Sequence, residues 1–366
     1  MYKKRVVLIS NIPSPYKVDL FWEMQKNTDQ YDLYPIYTNA SEDNRSWTPD
    51  ETKMFHSVIL TSKVLKLRTG LDYRYIHFPP SIKPVLDRIN PNAVIAWEYN
   101  PAALLALRWC RKHHRKFIHA TEGTLTSEHD LNPVQKASRK YITQKADGFI
   151  ACSTKAKEKL IAWGVNSENI ETALLTVDIE PYLFLPYTPV SGRILYVGSL
   201  AERKGLDLLI QALPLIRQKF ELHIVGDSEC EEKEKLKELL KTKHLDHTVV
   251  WRGFLQGENL RKEYQEAAVF VLPTREDCFG LVLVEAMAVG LPIVSSKYAD
   301  GAYDVIKEGV NGTIVDPFIP SELARGIETY LRNREDMRVH SKDTIDAFRF
   351  SDVIQHFYKE LNRTIY

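Results

Sequence analysis

The sequence predicts an α/β protein with two domains, each built on a parallel β-sheet with crossover helices. Apolar segments of strand length alternate with helical segments in both halves of the chain, as βαβ units require. With 366 residues, the chain is long enough for two separate hydrophobic cores. Three prolines within Pro181–Pro189 predict a rigid connector, and we place the domain boundary there.

The first domain is expected to cover residues 1–185. Its helical segments are clearest at Pro101–His113 and Pro133–Ala146. Residues 39–90 mix charges, aromatics and prolines, and they predict no clear element. Apolar runs predict the strands of this domain, which are Arg5–Ser10, Asp32–Tyr37, Ala93–Tyr99, Lys116–Ala120 and Gly148–Cys152.

The second domain is expected to cover residues 190–345 and to repeat the alternation. Residues 346–366 then carry apolar side chains at helical spacing, including Val353, Phe357 and Leu361, and predict a C-terminal helix. The candidate strands of the second domain are Arg193–Val197, Glu221–Gly226, Thr248–Trp251, Val269–Pro273, Pro292–Ser295 and Gly312–Val315.

Composition favours a globular cytoplasmic protein. Hydrophobic residues make up 44% and charged residues 27% of the chain, which is ordinary for a soluble domain. No apolar run approaches the roughly 18–20 residues of a membrane-spanning helix. The four cysteines are scattered without metal-ligand spacing, as expected of reduced thiols in the cytosol.

The charges are distributed unevenly between the two halves. Residues 1–190 contain 25 Lys and Arg against 20 Asp and Glu, a net charge of +5, whereas the remainder has 24 against 28, a net charge of −4. This imbalance is too small to indicate nucleic-acid binding, and no basic stripe is interleaved with aromatics. It suits an anionic acceptor or an anionic membrane surface facing the first half.

The most distinctive segment runs from Val271 to Ser296. A strand leads into a polar turn, and a helix opening at Phe279-Gly280 carries Glu285 among apolar residues. A carboxylate in such a helix is costly to bury without a hydrogen-bond partner. Glu285 would lie about 7–8 Å along the helix axis from Gly280. Either Glu285 reaches a solvated edge of the helix, or it binds the ribose of a nucleotide sugar whose diphosphate lies at the amides of Phe279, Gly280 and Leu281.

A second segment supports the nucleotide-sugar interpretation. A buried strand ends at Gly198-Ser199, and a small-residue turn with two cations, Arg203 and Lys204, precedes the next helix. Lys204 would act as a point charge on a phosphate, and the turn amides would act as donors. A cation at a helix start is usually only solvated, but two such sites in one domain indicate a binding role.

The two segments together resemble the retaining glycosyltransferases of family 4, which have the GT-B fold. The family signature is an acidic residue, seven spacers and Glu, and it falls here on Asp277 and Glu285. The resemblance is carried by YVGSLAERKGLDLLIQAL (Tyr196–Leu213), HIVGD (His223–Asp227), WRGFL (Trp251–Leu255), PTREDCFGLVLVEAMAVGLPIV (Pro273–Val294) and EGVNGTIVDP (Glu308–Pro317), and more loosely by ISNIPSPY (Ile9–Tyr16) and ACSTKAKEKLIAWGV (Ala151–Val165).

The resemblance implies two Rossmann-like domains facing a central cleft, with the C-terminal helix crossing back to the first domain. It also implies transfer of a sugar, with retention, from a nucleotide diphosphate sugar to a glycan or lipid-linked acceptor. The expected role is in the synthesis of bacterial surface polysaccharide or lipopolysaccharide. Glu285 would then hold the ribose, Lys204 with Arg203 the diphosphate, and Asp277 the transferred sugar. We expect no metal and no cofactor, because no Asp-x-Asp signature or ligand cluster is present.

Candidate residues in the first domain follow its predicted strands. His119 lies near the end of one predicted strand, and it is either a structural residue or, as the resemblance implies, a catalytic group facing the donor sugar. Glu122 lies three residues later. The loop after the first strand carries two prolines where many relatives have phosphate-binding glycines, so we expect Ser14 and Tyr16, together with Glu122, to line the acceptor side.

Two departures from the family pattern leave the identity of the donor open. Ser199 stands where many members have Arg, and Asp277 stands where Glu is more usual. A GT-B epimerase or phosphorylase remains an alternative, because the fold alone does not fix the chemistry. A non-catalytic nucleotide-sugar-binding partner subunit is another alternative.

The basic cluster Arg108–Lys116 is either a solvated helix face or a contact with the inner face of the membrane.

Overall fold

The structure, a computed structural model, describes residues 3–43, 47–69, 71–227, 230–331 and 344–366. The chain divides into two units, the first comprising Met1–Thr69, Tyr73–Asp178 and Phe350–Tyr366, and the second Gly70–Asp72 and Ile179–Arg349. The main boundary therefore precedes the proline-rich connector, and residues 179–185 belong to the second unit and not to the first. They do so because the short helix at this point, Glu180–Leu183, buries Tyr182 and Leu183 in the second unit.

The elements alternate along the described residues much as the sequence predicts. The strands are β1 (Lys4–Ser10), β2 (Tyr31–Tyr37), β3 (Val58–Ile59), β4 (Lys63–Thr69), β5 (Asp72–Phe78), β6 (Ala93–Trp97), β7 (Lys116–Thr121), β8 (Gly148–Ala151), β9 (Ile170–Thr172), β10 (Arg193–Val197), β11 (Glu221–Val225), β12 (Val249–Gly253), β13 (Val269–Leu272), β14 (Ile293–Ser296) and β15 (Gly312–Val315).

The α-helices begin at capping residues or prolines in several places. Asn100 and Asn132 accept hydrogen bonds from the amides of the first turns that follow them, each with a proline at the first helical position. The helices are α1 (Pro15–Lys26), α2 (Lys83–Ile89), α3 (Pro101–Lys112), α4 (Pro133–Lys145), α5 (Thr154–Ala162), α6 (Glu180–Leu183), α7 (Leu206–Ala212), α8 (Cys230–Thr242), α9 (Gly257–Glu266), α10 (Leu281–Val289), α11 (Ala302–Val305), α12 (Pro320–Tyr330) and α13 (Phe350–Ile365).

The described part of the first unit is built on a parallel seven-stranded sheet in the order β3-β2-β1-β6-β7-β8-β9. Strand β1 shows why the sheet is covered on both faces. Val6 and Leu8 point into one apolar core, and Val7 and Ile9 point into another. Helices α1 and α13 supply side chains to the first core, and α2 and α3 supply them to the second, so the near-continuous apolar runs of a buried parallel sheet are explained.

The described part of the second unit has a parallel six-stranded sheet in the order β12-β11-β10-β13-β14-β15. Helices α7 and α12 pack their apolar faces on one side of β10 and β13. Both units are therefore Rossmann-like, as expected. The structure adds β3, β9 and the separate β4–β5 pair, which the sequence did not predict.

The C-terminal helix belongs to the first unit, as the resemblance implies. Val353, Ile354, Phe357 and Leu361 of α13 are buried in the core that contains β1 and α1. Among the helices of the described residues, none combines the length and the apolar character that a membrane crossing needs.

We expect Phe357→Ala to destabilise the first unit by about 3–5 kcal/mol, because it removes a fully buried ring and leaves a cavity. The ring is 1% exposed and stacks on Trp97 with ring centroids 5.7 Å apart. Urea denaturation would measure the loss. Gln355→Ala, at an exposed position of the same helix, is the matched control. Equal effects of the two substitutions would contradict a core role for α13.

Candidate active site

The residues predicted to bind the donor follow β10 and β13, which lie side by side in the second sheet. Strand β10 pairs with β11 on one side and β13 on the other, so the strand order reverses between these loops. Ligands of open α/β sheets bind outside the carboxyl ends of the strands at such a point. The structure thus brings the segment from Gly198 to Lys204 and the segment from Asp277 to Leu281 to one edge of one sheet.

Backbone contacts hold the two loops together. The carbonyl oxygen of Arg203 accepts hydrogen bonds from the amide of Arg275, at 2.8 Å, and from the hydroxyl of Thr274, at 2.9 Å. Gly205 has φ +70°, and a Cβ at this position would lie 2.0 Å from the carbonyl oxygen of Pro273. Only glycine satisfies both conditions, so Gly205 permits the close approach of the loops.

Lys204 and Asp277 form an ion pair between the two loops. Lys204 Nζ lies 2.5 Å from Asp277 Oδ2, and the side chains are 17% and 9% exposed. Burial opposes ionisation of Asp277, but the charges of Lys204 and Arg203 outweigh it, so the pKa of the carboxyl is lowered. Arg203 also donates to the carbonyl oxygen of Glu276 at 3.0 Å. The amide of Phe279 lies 3.4 Å from Asp277 Oδ1. The site therefore combines two cations with an ionised carboxylate.

Helix α10 begins beside this ion pair and carries Glu285. Gly280 precedes the helix with φ +85°, and Leu281 is its first residue. Glu285 Oε1 accepts a hydrogen bond from the hydroxyl of Tyr182 at 3.0 Å, and Oε2 accepts one from Tyr264 at 2.7 Å. Burial raises the pKa of Glu285, and the two hydroxyl donors act against that rise. The carboxylate is thus anchored inside the unit by neutral donors.

Gly198 and Ser199 form the turn after β10. The amide of Gly198 donates to the carbonyl oxygen of Val225 at 3.0 Å, and the carbonyl oxygen of Ser199 accepts from the hydroxyl of Tyr196 at 2.7 Å. Ser199 is exposed, so its side chain is available at this edge of the sheet. Its role in donor binding stays a prediction.

A second polar group lies at the carboxyl edge of the first sheet. Glu122 follows β7, and its carboxylate contacts Lys17 Nζ at 3.0 Å and the hydroxyl of Tyr16 at 3.2 and 3.3 Å. The amide of Glu122 donates to Glu98 Oε1 at 2.7 Å. Ser14 is buried and precedes α1 at its N-cap position. The structure therefore places Tyr16 and Glu122 in contact, with Lys17 and Glu98 beside them. An acceptor role for Ser14, Tyr16 and Glu122 stays a prediction.

Glu98 has an unusual backbone. Its φ is +62°, in the left-handed region that costs a non-glycine residue about 1–2 kcal/mol. Burial raises the pKa of its carboxyl. The charge of Lys159 opposes this rise, and the neighbouring carboxylates of Glu122 and Glu128 increase it. Strand β6 ends at Trp97, one residue earlier, and the amide of Glu98 still donates to the carbonyl oxygen of Ala120 in β7 at 3.0 Å.

His119 lies inside the first unit. It is fully buried in β7, and its ring packs on Tyr99 with centroids 4.3 Å apart. Neither ring nitrogen has a hydrogen-bond partner among the described residues. Burial, together with the charges of Lys159 and Arg139, holds the pKa of His119 well below its usual value, so the imidazole is neutral. A catalytic role for His119 stays a prediction, and in this structure Glu122, not His119, reaches the edge of the sheet.

The sequence missed four residues of these two sites, namely Lys17, Glu98, Tyr182 and Tyr264. The rule that ligands bind at the carboxyl ends of parallel strands could have found Glu98, because it directly follows an apolar run. The partners of Glu285 carry no such signal, since they lie 103 and 21 residues away from it in sequence. Within the described part of the chain, no group of three or more His, Cys, Asp or Glu side chains is placed to hold a metal ion.

Two glycosyltransferase family models match the chain. The family model for Glycosyl transferases group 1 matches residues 191–345, and that for Glycosyltransferase Family 4 matches residues 35–180. Each match falls largely within one of the two units. The chain belongs to glycosyltransferase family 4. Asp277 and Glu285 lie within the group 1 match, and Glu122 lies within the family 4 match.

Individual relatives support the assignment. An uncharacterised glycosyltransferase of Methanocaldococcus jannaschii is 37% identical over 138 residues, covering 38% of this chain. A lipopolysaccharide 1,6-galactosyltransferase of Salmonella typhimurium is 27% identical over 231 residues, covering 60% of this chain. The matched segments span only 35% and 62% of these two relatives.

The fold is that of the GT-B glycosyltransferases. The crystal structure of Anabaena HepE in complex with UDP has a TM-score of 0.76 to this chain. The alignment covers 98% of this chain and 100% of HepE, at 18% identity. At that identity, the likeness establishes the shared fold alone.

We expect Gly205→Ala to destabilise the second unit by about 3 kcal/mol or more, because the new methyl group would collide with the Pro273 carbonyl. Gly309→Ala is the matched control. Its φ is +71°, but no heavy atom of the described residues lies within 4 Å of a Cβ there, so it should cost only about 1 kcal/mol. Urea denaturation of both variants would measure the difference. Equal losses would show that the approach of the two loops is not under steric control.

Proposed function

We propose that the chain transfers a sugar from a nucleoside diphosphate sugar to a hydroxyl of a glycan or lipid-linked acceptor, with retention at the anomeric carbon. The observation that carries this proposal is the meeting of Lys204 with Asp277 beside the helix that holds Glu285. A cation for the diphosphate and two carboxylates for sugar and ribose hydroxyls are the groups that a nucleotide sugar requires. Retention rests on the family resemblance.

The second unit would bind the donor. Glu285 would accept hydrogen bonds from the ribose diol, and the amides at Phe279, Gly280 and Leu281 would face the diphosphate together with Lys204 and Arg203. Asp277 would orient the transferred sugar. UDP is the first nucleotide to try, because HepE was solved with UDP. Gly198 and Ser199 would line the same edge.

The chain's own charges would stabilise the leaving group. When the bond between the anomeric carbon and the phosphate oxygen breaks, negative charge grows on the diphosphate. Lys204 and Arg203 would meet that charge from fixed positions, which lowers the barrier without reorganisation. We therefore propose transfer without a metal or other cofactor.

The acceptor would bind at the carboxyl edge of the first sheet, where Ser14, Tyr16 and Glu122 lie. We propose a cytoplasmic role in bacterial surface polysaccharide synthesis. This is supported by the lipopolysaccharide 1,6-galactosyltransferase of Salmonella typhimurium among the relatives.

We expect Lys204→Ala to weaken UDP binding by about 1.5–3 kcal/mol, the value of a charge-assisted contact. Isothermal titration calorimetry would measure this. Lys237→Ala, which removes an exposed Lys paired with Glu234 on α8, is the control and should leave binding unchanged. A thermal melt of each variant would separate loss of binding from loss of fold. Unchanged affinity in folded Lys204→Ala would contradict the diphosphate site.

We also propose that the first unit binds anionic membrane surfaces through the basic cluster Arg108–Lys116. Arg108, Arg111 and Lys112 are exposed along the end of α3, and Leu105 on the same helix is 39% exposed. Three basic side chains give weak, reversible binding at about 1 kcal/mol each. An acceptor carried by a lipid would then be met at the surface where it resides.

Co-sedimentation with phosphatidylserine-containing and neutral vesicles would test this binding. We expect Arg108→Ser, Arg111→Ser and Lys112→Ser together to abolish it, and high salt to weaken it, because the Debye length falls from ~10 Å at 0.1 M to ~3 Å at 1 M. The matched control changes three exposed lysines of α4, Lys136, Lys140 and Lys145, to Ser. Equal binding to both vesicle types, or equal effects of the two triple variants, would contradict it.

A further inference from the structure

Two tyrosines hold the carboxylate of Glu285, one on each oxygen. Tyr182 donates to Oε1 at 3.0 Å and Tyr264 donates to Oε2 at 2.7 Å. The two rings pack edge to face, with centroids 6.0 Å apart, and Tyr264 packs in turn on Phe270 of β13. Both rings are buried, so the hydroxyl positions are fixed by packing and not only by the hydrogen bonds.

The three side chains come from three separate helices. Tyr182 is on α6, Tyr264 on α9 and Glu285 on α10. Helix α10 is otherwise almost wholly apolar, so its carboxylate has no polar neighbour on its own helix. Among the described residues, the groups that act on the pKa of Glu285 are the hydroxyls of Tyr264 and Tyr182, and no cation is among them. The tyrosines therefore supply the fixed hydrogen-bond donors that a buried carboxylate needs.

The arrangement leaves room for a further ligand. An ionised carboxylate offers about four lone-pair positions, two on each oxygen. One hydroxyl on each oxygen leaves one position on each for another donor. A vicinal diol presents two O–H donors at a similar spacing, so it can bind both oxygens while the tyrosines stay in place.

Neutral donors bind the carboxylate of Glu285 without adding a positive charge to the site. A lysine or arginine would neutralise the carboxylate and would itself compete for the lone pairs. Burial and the adjacent carboxylate raise the pKa of Tyr264, so its hydroxyl keeps its proton and remains a donor.

We propose that Tyr182 and Tyr264 are positioning residues that orient the Glu285 carboxylate for a vicinal ribose diol, and so set the preference for ribonucleotide over 2′-deoxyribonucleotide donors. This inference rests on the proposed function, which assigns Glu285 to the ribose. It adds the residues that hold the carboxylate and the selectivity that follows from them.

The test compares the dissociation constants of UDP and dUDP, and of GDP and dGDP, by calorimetry on the full chain. In the wild type, we expect each deoxynucleotide to bind at least about tenfold more weakly than its ribonucleotide, because the 2′-hydroxyl that donates to the carboxylate is lost. Tyr264→Phe and Tyr182→Phe should each reduce that ratio several-fold, to near unity when combined. Lys204→Ala should weaken both nucleotides of a pair equally and leave the ratio unchanged.

A control separates positioning from general stability. Tyr31→Phe removes a buried hydroxyl that donates to Asn362 at 2.6 Å in the first unit, and it should leave the ratio intact. The pH profile gives an independent readout. Since both tyrosines hold the pKa of Glu285 down, removing them should move the onset of ribose discrimination to higher pH.

The outcomes separate the two proposals. If the wild type binds the members of each pair equally, or binds none of the four nucleotides, Glu285 does not bind ribose and the proposed function fails together with this inference. If the wild type discriminates but folded Tyr264→Phe and Tyr182→Phe discriminate equally well, the tyrosines only satisfy a buried carboxylate, and this inference alone is overturned. If Tyr31→Phe also lost the preference for the ribonucleotide, the positioning role of Tyr182 and Tyr264 would likewise be overturned.

Discussion

The close approach of the backbone at Gly205 to the carbonyl oxygen of Pro273 is the constraint on which the second unit's site depends. It brings the chain after β10 against the chain after β13, so that Lys204 reaches Asp277 across the gap. A side chain at position 205 would separate the two strand ends, and the ion pair would lose its geometry. Because Gly205 has no Cβ, Lys204 and Asp277 can lie together beside the start of α10.

The carboxylates at the candidate sites of the two units are stabilised in different ways. Asp277 and Glu122 each face a lysine, so each pair is close to neutral. Glu285 accepts hydrogen bonds from two neutral hydroxyls instead. A carboxylate compensated by a cation is suited to holding structure or shaping charge, whereas one held by neutral donors remains a strong acceptor for a ligand.

Much of the fold could be predicted from the sequence because continuous apolar runs mark strands that are buried on both faces. Arg193–Val197 and Gly312–Val315 occupy the expected residues without change. The β4–β5 pair was missed for the opposite reason. Val64, Leu65 and Leu67 are all partly exposed, so no buried face imposes an alternation on that segment. Strand β3 has two residues, too few for any period to appear.

The candidate sites were predicted in part. Lys204, Asp277 and Glu285 were accessible from the sequence because each lies in a local strand-turn-helix pattern. The partners that fix Glu285 were not, since Tyr182 and Tyr264 reach it through the tertiary fold from other helices. The position of His119 was also beyond the sequence. His119 lies two residues before the end of β7, and its side chain is buried in the core. A shift of one or two residues along a strand decides whether a side chain faces solvent or the core, and the sequence does not define the strand end that closely.

The discontinuity of the first unit has a consequence for how the chain acquires its structure during synthesis. Helix α13 supplies Val353, Phe357 and Leu361 to a core whose other members lie before residue 179. On the ribosome, the whole of Ile179–Arg349 emerges before those side chains do. The second unit can therefore complete its own core before α13 is available. Until then, one apolar face of the sheet in the first unit lacks the side chains that α13 supplies. Domains generally fold in the order in which they are synthesised, and the late arrival of α13 would reverse that order here.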